Sequence, residues 1–173
     1  MSASEGSLLS RLWAVWRMRY IEGLERDESG DVFSELPKQP DGPGNLIVHR
    51  GRTCFVVLNL YPYNTGHAMV VPFRAVPEIN DLTDEEMLEL MRLAALVMRA
   101  LRRSMNAQGF NVGMNLGKAA GAGIPNHLHL HVVPRWSGDT NFMPVVGETK
   151  VLPESLEDTY RKLRRAIEEE SGA

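Results

Sequence analysis

The chain has 173 residues, of which 43% are hydrophobic, so it is long and apolar enough to bury the core of one domain. Its formal net charge of −3 gives no general attraction to nucleic acid or to an anionic membrane surface. The single cysteine, Cys54, excludes an internal disulfide and a cysteine-rich zinc module. With no apolar stretch that could span a bilayer and no recognisable signal peptide, the sequence predicts a cytoplasmic protein without nucleic-acid or membrane partners.

The N-terminal part combines a predicted helix with a connector. Apolar and aromatic side chains recur at helical spacing from Leu8 to about Glu25, with arginines between them. The stripe consists of Leu9, Leu12, Trp13, Trp16 and Tyr20. Such a stripe is usually buried surface, and stacking on a cofactor is the alternative. Residues 27–45, rich in Asp, Ser, Gly and Pro, predict an irregular connector, so residues 1–45 form an N-terminal segment.

Residues 46–136 alternate short apolar runs with turn residues and form the predicted domain core. Strands are predicted over Leu46–His49, Cys54–Leu60, His67–Val71 and about Gly109–Leu116, followed by a strand that carries three histidines. A long helix begins at a capping box of Thr83 and Glu86. Its predicted apolar face consists of Met87, Leu90, Met91, Ala94, Val97, Met98 and Leu101.

The C-terminal extension covers residues 137–173 and is expected to pack on the same domain. It contains the segment Asp139–Val146 and then a helix from about Glu154. The predicted apolar face of this helix consists of Leu156, Tyr160, Leu163 and Ile167.

The loop before the histidine strand, Gly117–Gly123, contains only Gly, Ala and Lys118. Such a backbone lets N–H groups approach an anion closely, although the loop fits neither the Walker pattern nor the dinucleotide fingerprint. A flexible connection is the alternative, and the neighbouring histidines favour a phosphate cradle.

Three of the five histidines occur within five residues, as His127, His129 and His131. In a strand the side-chain period is two, so all three imidazoles are predicted on one face and the intervening apolar side chains in the core. The intervening residues are Leu128, Leu130 and Val132. Ordinary folding does not require three aligned imidazoles, so the segment predicts a site built on a strand.

Three kinds of site remain open from the residues alone. A metal centre would need a further ligand, usually a carboxylate, and none lies within several residues of the cluster. A structural core would need many buried partners for the three rings. Catalysis is favoured chemically, because a neutral imidazole with a pKa of about 6.5 is a competent nucleophile near neutral pH.

The segment His127–Val133 resembles the signature of the histidine triad superfamily, in which three alternating histidines precede two apolar residues. Val57–His67 is similar to the upstream strand and turn of that superfamily, and Gly109–Gly117 is similar to its substrate-loop strand. Arg11–Tyr20 and Gly138–Phe142 resemble the branch represented by mycobacterial diadenosine tetraphosphate phosphorylases. The resemblance implies an α+β fold with a five-stranded antiparallel sheet, a long helix and further N- and C-terminal helices. It also implies a homodimer with a continuous ten-stranded sheet.

The resemblance implies that His129 attacks the α-phosphorus of a nucleotide and forms a covalent nucleotidyl-imidazole. His127 and His131 would orient it through hydrogen bonds, His67 would lie near the phosphates, and Asn59 would approach the ribose. The phosphates would meet Asn115, Gly117, Lys118, Gly121, Ala122 and Gly123, although Lys118 is equally well explained as a solvated surface lysine. The base would lie in an apolar slot formed partly by Ile47, Phe55 and Leu58.

The implied partners are an adenine nucleotide or a dinucleoside polyphosphate such as diadenosine tetraphosphate, and inorganic phosphate as the acceptor. No cofactor is required, and magnesium could accompany the nucleotide. Ala122-Gly123-Ile124 lacks the side-chain hydroxyl or amide that many family members carry before the triad. Hydrolysis of dinucleoside polyphosphates or AMP phosphoramidates therefore stays open, and so does a nucleotide sensor with little turnover.

Overall fold

The computed structural model describes residues 31–139 and 152–172. Five strands form one sheet in the order β1-β2-β3-β5-β4, and every neighbouring pair is antiparallel. The strands are β1 (Ile47–Arg50), β2 (Cys54–Leu58), β3 (Ala68–Pro72), β4 (Gly109–Gly113) and β5 (Leu130–Arg135). The helices are α1 (Val32–Glu35), α2 (Asp84–Met105) and α3 (Leu156–Ser171), with 3₁₀ turns at Leu36–Lys38, Ile79–Asp81 and Lys118–Ala120.

This architecture confirms the predicted α+β class with its five-stranded antiparallel sheet, long helix and C-terminal helix. The predicted helix over Leu8–Glu25 lies outside the described residues, and so do residues 140–146 of the predicted Asp139–Val146 segment. None of the helices among the described residues is both long and apolar enough to cross a membrane.

The two faces of the sheet have different roles. The Cys54 sulfur lies 3.7 Å from the Glu86 carbonyl oxygen, so Cys54 points towards α2. Because side chains alternate along a strand, Leu58 shares this helix-facing side. Phe55 points to the opposite side. That side also carries His131, because His131 pairs with Met69, which in turn pairs with Val57. We call it the histidine face.

Helix α2 covers the other side of the sheet and begins as predicted. The Thr83 hydroxyl accepts from the Glu86 N–H at 3.2 Å, and the Glu86 carboxylate accepts from the Thr83 N–H at 2.9 Å. The buried face differs from the prediction, since Met87 and Met91 are 41% and 54% exposed. The stripe that meets the sheet is rotated away from them and consists of Leu90, Leu93, Ala94, Leu96, Val97, Ala100 and Leu101.

The composition predicted an irregular connector over residues 27–45, but the described part of it, residues 31–45, contains a short helix and a 3₁₀ turn. The Asp31 carboxylate accepts from the Phe33 N–H at 3.1 Å and caps α1, which buries Phe33 to 4% exposure. Four residues are too few to show a helical period, so only the capping residue signals this helix. As a result, the Asp31 carboxylate and the Phe33 ring are held in place on the domain.

Glu89 of α2 holds the turn between β1 and β2. Its carboxylate accepts from the N–H groups of Arg52, Thr53 and Cys54 and from the Thr53 hydroxyl. Burial raises the pKa of Glu89, but these hydrogen bonds outweigh burial and lower it to about 2. The helix and the hairpin are therefore joined through one charged group.

Replacing Glu89 with Gln is expected to lower the free energy of unfolding by about 2 kcal/mol, because hydrogen bonds to a charged acceptor are lost. The Glu89 contribution is present above its ordinary pKa of 4.5 and is lost as pH falls towards about 2. Chemical denaturation between pH 7 and pH 2 should therefore show the two proteins converging at low pH. The control Glu85→Gln, in an exposed pair with Arg52, should change stability by less than about 0.5 kcal/mol. Equal effects of the two substitutions at pH 7 would contradict this account.

Candidate active site

The three clustered histidines lie at the start of β5 rather than along it. The strand begins at Leu130, so only His131 belongs to it, opposite Met69 of β3 and Gly113 of β4. The intervening Leu128, Leu130 and Val132 are buried, as predicted. The imidazoles are not on an open face, however, because His127 is fully buried and His129 is 7% exposed.

Phe33 of α1 is one of the groups packed against these rings. Its ring centroid lies 5.5 Å from that of His127 in an edge-on arrangement and 5.1 Å from that of His129. The His129 and His131 rings are also edge-on, with centroids 4.9 Å apart. The rings therefore have defined orientations, and those of His127 and His129 are buried.

The protonation of His129 follows from its hydrogen bond. Its Nδ1 lies 2.9 Å from the His127 carbonyl oxygen, which can only accept, so Nδ1 carries the proton. In the neutral ring the lone pair is then on Nε2. Burial and the nearby His127 charge lower the pKa of His129, and the hydrogen bond to the His127 carbonyl raises it. Burial is the largest of these effects, so the pKa lies below its ordinary value. The arrangement therefore favours a neutral imidazole with a nucleophilic Nε2.

His127 is held on both sides of its ring. Its Nε2 lies 2.8 Å from the Pro72 carbonyl oxygen, and its Nδ1 lies 2.6 Å from Asp31 Oδ2. Burial raises the pKa of Asp31, but hydrogen bonds from Ser34, His127 and the Phe33 N–H, together with the His127 charge, lower it below its ordinary value. The hydrogen bond by which His127 orients His129 is accepted by the His127 backbone carbonyl, while the His127 ring is bonded to Asp31 and Pro72.

A second histidine pair is formed by His67 and His131. The Tyr63 N–H donates to His67 Nδ1 at 3.1 Å, so the neutral His67 ring carries its proton on Nε2. That nitrogen lies 2.9 Å from His131 Nδ1 and donates to it. Asn59 contributes from the same side, with its amide nitrogen 3.4 Å from His67 Nδ1. The predicted residues His67, Asn59 and His131 are thus brought together.

The turn that carries Tyr63 is itself anchored to β5. The Asn64 amide donates to the Pro134 carbonyl at 3.0 Å and to Asp139 Oδ2 at 2.9 Å. The N–H of His67 donates to the Asn64 carbonyl, which closes the turn. Tyr63 therefore has a fixed position next to His67, with ring centroids 4.7 Å apart.

The glycine loop is partly closed on itself. The N–H of Gly121 donates to the Lys118 carbonyl, and the N–H of Ala122 donates to the Gly117 carbonyl. Gly117 and Gly121 have φ values of +73° and +82°, which favour glycine at both positions. Two N–H groups expected to face phosphate are therefore used within the loop. Lys118, Gly121 and Gly123 are exposed, and Asn115 is half-buried.

The predicted base slot needs one correction. Ile47 and Phe55 lie on the histidine face, since Ile47 pairs with Val57, but both are 0% exposed. Leu58 lies on the helix-facing side and is wrongly assigned to the slot. The error arises because adjacent strand residues point to opposite sides of a sheet, so the apolar character of Leu58 does not specify its face.

Three residues near the site were not predicted. Asp31 and Phe33 come from the supposed connector, and Tyr63 contributes through its N–H group and its ring. The available signal was Asp31-Val-Phe-Ser, an acidic capping residue ahead of an aromatic residue. Nothing in the sequence pairs Asp31 with His127, which lies 96 residues away along the chain.

The described part of the site has no cluster of potential metal ligands. Across residues 31–139 and 152–172, no group of three or more His, Cys, Asp or Glu side chains could hold a metal ion. Both ring nitrogens of His127 already face oxygen atoms of the protein.

A family model described as the HIT domain matches residues 42–138. The AP-4-A phosphorylase of Mycobacterium tuberculosis is 47% identical over 162 residues, covering 90% of this chain and 83% of the relative. The chain belongs to the histidine triad family. This finding confirms the predicted family and its similarity to the mycobacterial phosphorylase branch.

Further relatives of this histidine triad protein differ in their named activities. The asymmetrical bis(5'-nucleosyl)-tetraphosphatase of Schizosaccharomyces pombe is 33% identical over 107 residues, covering 62% of this chain and 56% of the relative. The solved structure of a Zn-bound histidine triad family protein from Mycobacterium smegmatis has a TM-score of 0.65 and 25% identity. It covers 81% of this chain and 94% of that chain.

The charge state of His129 can be measured directly by ¹⁵N NMR of labelled imidazole rings during a pH titration. Because its pKa is lowered, His129 should stay neutral with its proton on Nδ1 below pH 6.5, the ordinary histidine pKa. The denatured chain supplies the reference titration. A midpoint at or above 6.5, or a proton on Nε2 of the neutral ring, would contradict the assignment.

Proposed function

We propose that this protein is a nucleotidyltransferase that cleaves dinucleoside polyphosphates through a covalent intermediate on His129. The observation that carries the proposal is the Nδ1–H hydrogen bond to the His127 carbonyl, which leaves the Nε2 lone pair for attack. Histidine is a suitable nucleophile here because burial keeps it neutral, and the protonated imidazole is a good leaving group in the next step.

With diadenosine tetraphosphate, the first step forms the Nε2–Pα bond and breaks the bond from Pα to the bridging oxygen. ATP leaves, and AMP stays on His129. In the second step inorganic phosphate attacks the same phosphorus, the N–P bond breaks, and ADP is released. The 47% identity to the M. tuberculosis AP-4-A phosphorylase supports both the substrate and the acceptor.

The neighbouring residues receive roles that fit their positions. His127 holds His129 through its carbonyl, and the His131–His67 pair is assigned to steadying the charge that develops at the phosphates. Asn59 is assigned to the ribose, and Asn115, Gly117, Lys118 and Gly121–Gly123 to the polyphosphate. Ile47 and Phe55 are assigned to the base, and contact with it requires these buried side chains to be uncovered.

Hydrolysis is the second candidate, and one feature of this chain favours it. The stretch Gly121–Ile124 has no side-chain hydroxyl or amide with which to hold the phosphate acceptor. The S. pombe relative is named a tetraphosphatase, which also supports this alternative. Water in place of inorganic phosphate would give AMP and ATP from the same intermediate.

Three further parts of the proposal concern the surroundings of the enzyme. The protein works in the cytoplasm, with magnesium reaching the site only on the nucleotide. It acts as a homodimer joined along β4, since β4 lies at an edge of the sheet of described strands and Val112 is 43% exposed. Sedimentation equilibrium tests the dimer against the 19.4 kDa mass of one chain.

The products formed from diadenosine tetraphosphate, with and without inorganic phosphate, decide between the two reactions. Phosphorolysis predicts equal amounts of ADP and ATP that depend on added phosphate. AMP and ATP formed regardless of phosphate would establish hydrolysis. Two ADP molecules formed without phosphate would place the attack on another phosphorus and contradict an AMP intermediate. A parallel reaction with a chelator should retain activity, because the proposed mechanism needs no resident metal.

A further inference from the structure

The surroundings of the His127 ring determine its charge. The Pro72 carbonyl can only accept a hydrogen bond, so His127 Nε2 must carry a proton. On the other side, Asp31 Oδ2 also accepts from the Ser34 hydroxyl at 2.5 Å, and Oδ1 accepts from the Phe33 N–H. A carboxyl group that already accepts hydrogen bonds from two other donors is favoured in its ionised form, the carboxylate. His127 Nδ1 is then the donor to Asp31, and the ring is an imidazolium.

Because this ion pair is largely buried, each charge depends strongly on its partner. The His127 side chain is fully buried, and that of Asp31 is 25% exposed. A buried imidazolium needs a partner, because an unpaired charge in an apolar setting is strongly disfavoured. Asp31 is the partner that the structure supplies, and the bond of 2.6 Å fits a charge-assisted contact.

The charged ring and the nucleophile are linked through one residue. His127 is held by its ring between Asp31 and Pro72, while its carbonyl accepts from His129 Nδ1–H. Fixing the ring therefore fixes the carbonyl that sets the tautomer of His129. A positive charge at His127 also opposes protonation of His129, whose pKa is lowered partly for this reason.

We propose that Asp31 is a positioning residue of the active site, holding His127 as a clamped imidazolium whose carbonyl orients His129 for attack. The proposal rests on the proposed role of His129 as the nucleophile. No proton moves between Asp31 and His127 during the reaction, so the pair acts by charge and by position. The other titratable rings packed near His129 are His131 and, behind it, His67.

Asp31 also caps α1, and the test must separate that role from the proposed one. Asn and Ser are both good capping residues, so Asp31→Asn and Asp31→Ser should keep the helix while removing the negative charge. In Asp31→Asn the amide can still donate to a neutral His127 Nδ1. Glu35→Gln is the matched control, because it removes a carboxylate of α1 that forms an exposed pair with Lys38.

The experiment compares the wild-type chain with these variants in steady-state kinetics with diadenosine tetraphosphate and in ¹⁵N NMR of the histidine rings. The wild-type His127 ring should carry protons on both nitrogens near pH 7, and Asp31→Asn should make it neutral. Both Asp31 variants should lose about tenfold or more in kcat with KM changed less than about threefold. Their rates should also fall at a higher pH than wild type on the acid side, because His129 is protonated more readily. Glu35→Gln should match wild type.

Two results would overturn the proposal. One is a neutral His127 in the wild-type chain, which can be read even if no Asp31 variant folds. The other is folded Asp31 variants that keep the wild-type kcat and acid limb, which would leave Asp31 with its capping role only. Failure of the proposed function is distinguishable from both, because the wild-type chain itself would then form no covalent adduct on His129.

Discussion

The hydrogen bond from His129 Nδ1–H to the His127 carbonyl is the interaction on which the rest of the site depends. It assigns the proton to one ring nitrogen and leaves the lone pair on the other. A solvated histidine exchanges between its two tautomers and is more often a protonated imidazolium. A fixed and buried ring therefore differs from it in reactivity. The contacts of Asp31 and Pro72 with the His127 ring hold the residue that carries this carbonyl. The contacts among Tyr63, His67 and His131 position the side chains that are assigned to the phosphates.

The fold supplies this geometry from distant parts of the chain. β5 brings His131 between β3 and β4, and the turn anchored by Asn64 places His67 against it. α1 adds Asp31 and Phe33 from the N-terminal side. α2, on the opposite side of the sheet, supports the hairpin through Glu89 and contributes to the core that keeps the strands in register. Site chemistry and helix packing thus use separate sides of one sheet.

Local signals in the sequence were sufficient for the sheet, the capping box of α2 and the histidine cluster, because each depends on neighbouring residues. The buried face of α2 was predicted less well, since Met87 and Met91 are apolar but lie beyond the stripe that meets the sheet. Leu58 was misassigned for a similar reason, because hydrophobicity alone does not give the face of a strand. Asp31 was missed because its contact with His127 spans 96 residues and depends on the tertiary fold.

The most direct test of the central claim is to trap the intermediate. The protein is mixed with diadenosine tetraphosphate in the absence of phosphate, quenched within the first turnover, and analysed by mass spectrometry of its peptides. An AMP adduct should be found on the peptide that contains His129, absent in His129→Asn and present in His49→Asn, which changes the histidine of β1 outside the ring network. Full product formation by His129→Asn, or an adduct on another residue, would contradict the account.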